Sequence, residues 1–137
     1  MKMDKVAGSG NDEFYTPKYA VLPIVKYLKQ KDYNNIWCPF DTEDSLFVKV
    51  LKEEGFNVIN THIEQGDEGD FFKINPQGYD CIVSNPPYSF KNEVFERLFD
   101  LNKPFMMLVG VVGLFESQKR FELFKNNDWE ILYFNKR

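Results

Sequence analysis

Residues 79–88 read YDCIVSNPPY, and this stretch decides how the rest of the chain is interpreted. Residues 81–83 are all apolar, which is typical of a strand that is buried on both faces of a sheet. The two prolines that follow Asn85 have no N–H group to donate, so the strand ends there. In open α/β sheets, ligands bind beyond the carboxyl ends of the strands. We therefore expect Asn85, the Pro86 carbonyl and Tyr88 to meet at the mouth of a cleft that suits a planar substrate with an amino group.

Outward from this strand, predicted strands alternate with predicted helices. The other strands are predicted at 36–40, 57–61, 105–112 and 130–135, with a short segment at 70–72. The helices are predicted at 17–31, 45–54, 93–101 and 118–126. Such alternation favours the α/β class, with a mostly parallel sheet and helices on both faces. Right-handed crossovers give the expected strand order 3-2-1-4-5, in which the strand before Asn85 is the fourth.

The size and composition of the chain fit one domain. It has 137 residues, of which 43% are hydrophobic, and this is enough for an ample core. Residues 1–13 are polar and show no hydrophobic period, so we expect a flexible arm before a domain at 14–137. No apolar run approaches the roughly 18 residues of a membrane span, and no basic and apolar leader begins the chain. We therefore expect a cytoplasmic protein.

Cysteine, histidine and charge counts limit the chemistry further. Cys38 and Cys81 fall within predicted strands and show no Cys-x-x-Cys spacing, so we expect buried, reduced thiols and no metal site. The net charge of −4 argues against the basic surface that nucleic-acid-binding proteins usually carry, although a small basic rim at the cleft is compatible with it. We expect most of the cations that follow the motif to lie on solvated helix faces: Lys91, Arg97, Lys119 and Arg120.

The motif at 85–88, together with the apolar strand before it, resembles the catalytic Asn/Asp-Pro-Pro-Tyr/Phe motif of the amino-methyltransferases that use S-adenosylmethionine. The resemblance implies a three-layer, Rossmann-like class I methyltransferase fold with S-adenosylmethionine as the cofactor. It also implies that the catalytic residues are Asn85, Pro86, Pro87 and Tyr88. In that arrangement the Asn85 oxygen and the Pro86 carbonyl accept the two amine protons, and Tyr88 stacks on the base.

Two segments match the family's motifs for binding the cofactor, and the first of them concerns its methionine end. The first resembles the segment that closes over that end: Tyr15, Thr16 and Pro17. Thr16 caps the predicted helix, whose N-terminus offers unpaired N–H groups to a carboxylate. The second resembles the family's Asp-Pro-Phe loop after the first strand, and its matching residues are Pro39 and Phe40.

The same loop also departs from the family pattern. Cys38 replaces the acid, and Thr42 and Asp44 occupy the positions of two spaced glycines. Thr42 cannot adopt a positive φ without strain, so we expect the loop to hold the cofactor differently or weakly. The acidic residues of the loop favour the cationic groups of the cofactor, and we expect Asp41 to bind its amino group.

Two segments after the second predicted strand complete the family's order. His62 is the expected partner of the ribose hydroxyls, with Glu64 as a second polar group. Residues 69–72 (GDFF) resemble the family's Gly-Asp-Phe segment, in which the acid accepts from the adenine amine and the ring packs on the adenine face. The resemblance implies these roles for Asp70 and Phe71. Taken alone, the same two residues equally fit a capping Asp and a core phenylalanine.

The order of these motifs is similar to that of compact, phage-type adenine methyltransferases that act on DNA. The resemblance implies methyl transfer to the exocyclic amine of adenine, after the base has been flipped out of a duplex. Phe90 would then cover the base, and Lys91 would contact a phosphate. Such enzymes usually carry a target-recognition domain and a last antiparallel strand, neither of which is predicted here. Unless the sequence is truncated, we expect a second copy or a separate recognition subunit to complete the sheet beside 130–135.

Two alternatives stay open on the sequence. The same motif serves methylation of RNA and of protein glutamine side chains, although the leading Tyr-Thr-Pro favours adenine. The acidic, glycine-poor loop and the missing last strand are also compatible with a methyltransferase-like protein that binds a partner without catalysis. Binding of S-adenosylmethionine would separate these classes.

Overall fold

The computed structural model describes residues 18–110 and 117–133, and for Tyr88 it describes the backbone only. The strands are β1 (Asn35–Cys38), β2 (Asn57–Asn60), β3 (Cys81–Ser84) and β4 (Phe105–Met107). The helices are α1 (Lys18–Gln30), α2 (Leu46–Glu53), α3 (Lys91–Leu101) and α4 (Gln118–Lys125). Two short 3-10 helices span Ile63–Gly69 and Tyr88–Phe90.

The four strands form one parallel sheet in the order β2-β1-β3-β4. Trp37 in β1 pairs with Ile59 in β2 and with Ile82 in β3, which sets the register of the three strands. Ile82 pairs in turn with Phe105 in β4. The expected parallel sheet is therefore confirmed, and the strand that precedes Asn85 lies in the interior of the sheet.

Alternate residues of the central strands face opposite sides of the sheet, and helices cover both sides. On one face, side chains of β1 and β3 pack against α1 and α2 in a buried cluster that includes Ile36 and Val83. On the other face, Trp37 and Ile82 pack with α3 and with Phe124 of α4. The chain is thus an α/β protein with a four-stranded parallel sheet between helices, as the alternation of elements predicts.

Apolar periodicity explains the first two helices. The buried positions of α1 recur at helical spacing: Ala20, Val21, Ile24, Val25 and Leu28. Pro23 lies inside this helix and does not end it. The turn after α2 contains Gly55 at φ +95°, a backbone conformation that residues with a Cβ rarely adopt.

Across the described part of the chain, no helix combines the length and the apolar character that a membrane span needs.

Residues 70–72 do not form the short third strand that the sequence predicts. The Phe72 N–H donates to Asp70 Oδ1 at 2.9 Å, and the Lys73 N–H donates to the Asp70 carbonyl at 2.9 Å. These local bonds hold a turn and use N–H groups that a strand would direct to a neighbour. The expected strand order is therefore confirmed for four of its five strands, whereas the predicted third strand, at 70–72, is wrong.

The last predicted strand is also wrong where the structure describes it. Residues 130–133 belong to no strand, and all four are exposed, including the apolar Ile131, Leu132 and Tyr133. β4 ends at Met107 and spans three residues, so it offers few backbone groups to a neighbouring strand. Residues 134–135, like the predicted arm at 1–13, lie outside the described residues.

Both cysteines are buried free thiols, as expected. Burial raises the pKa of the Cys81 thiol to about 12. Burial also raises the pKa of Cys38 far above the ordinary value. Because the thiolate is the reactive form, both side chains act as small core residues.

Candidate functional site

The chain leaves the two central strands toward opposite faces of the sheet, so their carboxyl ends form a topological switch point. From β1 it passes through α2 on one face of the sheet to β2, and from β3 it passes through α3 on the other face to β4. The loops after β1 and β3, residues 39–45 and 85–90, therefore diverge beyond the sheet. Such a topological switch point is where open α/β sheets bind their ligands.

Asn85 follows β3 directly, which places it at this switch point. Its side chain is half-buried and forms no hydrogen bond with the residues that the structure describes. Ser84 before it and Pro86 after it are both buried. Most polar groups at buried positions have a hydrogen-bond partner, so a half-buried amide without one is available to a ligand.

The rest of the motif leads into α3. Pro87 is exposed, with extended backbone angles, and the 3-10 helix Tyr88–Phe90 follows it. The Phe90 ring is 54% exposed. Lys91 is half-buried, and burial together with the nearby charge of Arg120 lowers the pKa of its ammonium group. The two residues expected to contact a substrate thus follow the motif at the same edge of the sheet.

Asp41 lies in the loop after β1 and is 1% exposed. Its Oδ1 accepts a hydrogen bond of 2.7 Å from Ser45 Oγ, and its Oδ2 accepts one of 2.5 Å from Ser84 Oγ. Burial raises the pKa of this carboxyl group, while the two hydroxyls and the charge of His62 oppose the rise. Both carboxylate oxygens are thus used inside the protein, by the residue before α2 and by the last residue of β3. The expectation that Asp41 binds the amino group of the cofactor stays a prediction, and burial leaves the carboxylate little access to a ligand.

The backbone of the same loop differs from that of a glycine-containing cofactor loop. Among the described residues other than glycine, positive φ values occur at Asp32 and Asn102 alone. Thr42 and Asp44 therefore take no positive φ. The Ser45 N–H donates to the Thr42 carbonyl at 3.1 Å and closes a tight turn before α2. The loop thus has a conformation that does not depend on glycine.

Pro39 and Phe40 continue β1 toward the second cluster of the core. Pro39 is buried, and the half-buried Phe40 ring has its centre 4.9 Å from that of Phe71. Phe71 is 2% exposed and packs 5.6 Å from Trp37. The ring of Phe71 therefore fills the space between the sheet and α3, as the alternative of a core phenylalanine predicts, and its contact with adenine stays a prediction. Its neighbour Phe72 is the exposed ring of the pair, at 41%.

His62 and Asp70 stand at the two ends of the 3-10 helix after β2. The Glu64 N–H donates to His62 Nδ1 at 3.1 Å, and the His62 N–H donates to Gln65 Oε1 at 3.0 Å. Asp70 is half-buried, and its Oδ1 accepts from the Phe72 N–H. Both side chains stabilise local turns. His62 Nε2 and Asp70 Oδ2 take no part in these bonds and are the polar atoms left for a ligand.

Gly69 brings the two ends of this 3-10 helix together. A Cβ at this position would lie 2.0 Å from the His62 carbonyl oxygen, so a larger residue cannot fit without a backbone shift. The close contact holds Asp70 near the carboxyl end of β2. Close packing alone therefore explains why the GDFF segment has a glycine at this position.

Sequence reasoning missed three residues that shape the site. Ser45 and Ser84 bind the Asp41 carboxylate, and Arg97 on α3 donates hydrogen bonds of 2.7 Å to the carbonyls of Phe71 and Ile74. The position of Ser84 at the end of an apolar strand is a sequence signal that could have identified it as part of the site. Arg97 had no such signal, and it is an exception to the expectation that most of the four cations lie on solvated helix faces. Lys119 agrees better with the expected solvated helix face, because it forms an exposed ion pair with Glu96 at 2.9 Å.

The structure brings most of the predicted site residues to one edge of the sheet, at the ends of β1, β2 and β3. The three predicted for the methionine end lie outside the described residues: Tyr15, Thr16 and Pro17. Within residues 18–110 and 117–133, no group of three or more His, Cys, Asp or Glu side chains could hold a metal ion. Comparison with protein-family models, curated proteins and solved structures finds no match to the chain.

Proposed function

We propose that this chain is an S-adenosylmethionine-dependent amino-methyltransferase with a Rossmann-like class I fold, and that its substrate is the exocyclic amine of adenine in DNA. The observation that carries the proposal is the Asn85 amide, which is half-buried and has no hydrogen-bond partner in the described part of the chain. It follows a central strand at the edge where such sheets bind ligands. The Asn-Pro-Pro-Tyr sequence gives that amide a chemical role.

Asn85 would accept one proton of the substrate amine through its side-chain oxygen, and the Pro86 carbonyl would accept the other. These two bonds would draw the nitrogen out of conjugation with the aromatic ring and free its lone pair for attack. An amide is not a base at neutral pH, so the proton leaves afterwards to solvent. The rate gain would come from holding the reacting atoms about 3 to 3.5 Å apart. Tyr88 would stack on the base, and the exposed Phe90 would cover it.

The residues at the ends of β1 and β2 fit the cofactor in part. S-adenosylmethionine, when bound, supplies a methyl group on a positively charged sulfur. Asp70 Oδ2 and His62 Nε2 lie outside the local hydrogen bonds and would hold the adenine amine and the ribose hydroxyls. Phe40 offers a half-buried ring at the end of β1. The Asp41 carboxylate is bound by two serines. We therefore assign the methionine end to residues 15–17, whose sequence resembles the family's segment for that end.

A second candidate is a methyltransferase-like protein that binds a partner without catalysis. One observation favours it, namely the loop after β1, in which Thr42 and Asp44 take no positive φ and the Asp41 carboxylate is buried. A loop without glycine lets its backbone approach a ligand less closely. The cofactor would then bind weakly or not at all.

Isothermal titration with S-adenosylmethionine separates the two candidates. The catalytic proposal predicts saturable heat with one site per chain, and competition by S-adenosylhomocysteine. Gln77→Ala, which changes an exposed amide in the turn before β3, is the control and should titrate as the wild type does. Complete absence of heat would favour the binding protein.

A methyl-transfer assay with labelled S-adenosylmethionine tests the choice of substrate. The substrates are adenine-containing DNA in single-stranded and duplex form, RNA of the same sequence, and a glutamine-containing peptide. The proposal predicts label in DNA, and within DNA on adenine. Label in RNA or in the peptide alone would reassign the substrate, and label in none of them would contradict the enzymatic proposal.

A further inference from the structure

A buried carboxylate connects the loop after β1 to the strand that precedes Asn85. Asp41, Ser45 and Ser84 are each 1% exposed or less. Ser45 directly precedes α2, and Ser84 is the last residue of β3. The Asp41 carboxylate therefore accepts hydrogen bonds from the residue before α2 and from the last residue of β3, both at the carboxyl edge of the sheet.

The stability of the fold does not explain this carboxylate. Removing a charge from water costs free energy, and the cost is repaid well only by a close opposite charge. None of the ion pairs among the described residues involves Asp41. Burial raises the pKa of the group, and the charge of His62 opposes that rise less than the two hydroxyls do. An apolar side chain of similar size would fill the same space at lower cost, so the hydrogen bonds that Asp41 accepts have another use.

Ser84 is held from two sides, and Asn85 depends on it. The Ser84 carbonyl accepts a hydrogen bond of 3.0 Å from the Leu108 N–H, and its hydroxyl donates to Asp41. The next residue, Asn85, has no hydrogen bond of its own among the described residues. Its amide is therefore oriented by the backbone that Ser84 supplies. Fully satisfied buried polar networks of this kind make a local structure rigid.

We propose that Asp41 is a positioning residue for Asn85, and that it acts through the hydroxyl group of Ser84. This inference rests on the proposed function, because it concerns the site of methyl transfer. It differs from the role that the charge of the loop suggested for Asp41, since here the carboxylate acts through Ser84 and not directly on the cofactor.

Two serine variants test this inference, because each removes one hydroxyl from the same carboxylate. Ser84→Ala breaks the connection to Asn85 and should lower kcat roughly tenfold to a hundredfold, the range expected when a reacting group is misplaced by a fraction of an ångström to an ångström. Its KM for DNA should change little. Ser45→Ala breaks the connection to α2 and should leave kcat within about twofold of wild type, since the Ser84 bond persists. Equal losses of kcat, or no loss in either variant, would overturn the inference.

Three further variants keep the test valid if Ser84→Ala folds poorly. Ser84→Cys keeps the shape but has a weaker donor, so its kcat should lie between those of wild type and Ser84→Ala. Asp41→Asn keeps an acceptor for Ser84 and should retain most of the activity that Asp41→Ala loses. If kcat decreases in proportion to the midpoint temperature of unfolding across all these variants, the role of Asp41 is merely structural and the inference is overturned.

The proposed function and the positioning role fail in different ways. Absence of methyl transfer by the wild type would contradict the function alone. The positioning role is then read from the ¹⁵N–¹H resonances of the Asn85 side-chain amide. Ser84→Ala should shift or broaden these signals and Ser45→Ala should not, and the same response in both variants would contradict it.

Discussion

Arg97, on α3, donates from Nε to the Phe71 carbonyl at 2.7 Å, and its guanidinium carbon lies 5.5 Å from the centre of the Phe71 ring. Its Nη2 donates to the Ile74 carbonyl at 2.7 Å. These charge-assisted bonds hold the turn after Asp70 against the helix. They act in place of the sheet ladder that residues 70–72 do not form, and so they help to fix Asp70 near the carboxyl ends of the strands.

Arg97→Lys should therefore lower the free energy of unfolding by about 2 kcal/mol, because an ammonium group cannot reach both carbonyls in the plane of a guanidinium. Urea unfolding followed by tryptophan fluorescence measures the loss. Lys119→Met is the control, and no measurable change is expected because its ion pair with Glu96 is exposed. A loss for Arg97→Lys no larger than that of the control would contradict the role of the guanidinium.

Gly69→Ala should lower the free energy of unfolding by about 2 kcal/mol, in the range of other overpacking substitutions. The physical reason is the 2.0 Å distance between the added Cβ and the His62 carbonyl oxygen, which forces a backbone shift. Gly110→Ala is the matched control, since a Cβ there meets no atom within 4 Å. Equal midpoints of urea unfolding for the two variants would show that the contact is not tight.

The stability contributed by Asp41 should decrease as the pH rises. Burial raises the pKa of Asp41 above its ordinary 3.8, so the folded state binds this proton more tightly than the unfolded state does. The contribution is therefore greatest below pH 3.8 and is lost as the pH rises through the raised value. Urea unfolding across this range should find Asp41→Asn gaining stability relative to wild type from acid to neutral pH. A difference that stays constant with pH would contradict the burial of an ionisable group.

Asp80→Asn should show the opposite dependence on pH. The N–H groups of Asn34 and Asn35 donate to Asp80 Oδ2 at 2.9 Å each, and these bonds lower the pKa of the carboxyl group. Its contribution to stability is therefore present above pH 3.8 and is lost as the pH falls through the lowered value. The variant should lose stability relative to wild type as the pH rises. The same trend for Asp41→Asn and Asp80→Asn would show that one of the two environments is described wrongly.

Local sequence signals were enough for most of the fold. The apolar run 81–83 followed by two prolines predicts β3 and its abrupt end, since neither feature depends on distant residues. The helical spacing of Ala20, Val21, Ile24, Val25 and Leu28 predicts α1 in the same way. Parallel order then follows from the alternation of strands and helices, because crossovers of one hand leave few topologies.

The failures of prediction have a common physical reason, which is competition that the local sequence does not reveal. Asp70 carries a side chain that bonds to the backbone two residues later, and this turned an expected strand at 70–72 into a turn. Asp41 and Ser84 are 43 residues apart, so no local pattern could show that a loop acid would be buried against a strand end. Phe71 packs on Trp37 in the core, a long-range contact that the match of its segment to a motif does not reveal.

The central claim is that the Asn85 amide binds the amine that receives the methyl group. Its most direct test is the amount of N6-methyladenine formed in DNA by wild type, Asn85→Ala and the control Gln77→Ala, measured by mass spectrometry with saturating S-adenosylmethionine. The account predicts methyladenine with wild type and with Gln77→Ala, and a rate for Asn85→Ala lower by roughly a hundredfold or more, with cofactor affinity unchanged. Methyladenine formed by Asn85→Ala at most of the wild-type rate, or none formed by the wild type, would contradict it.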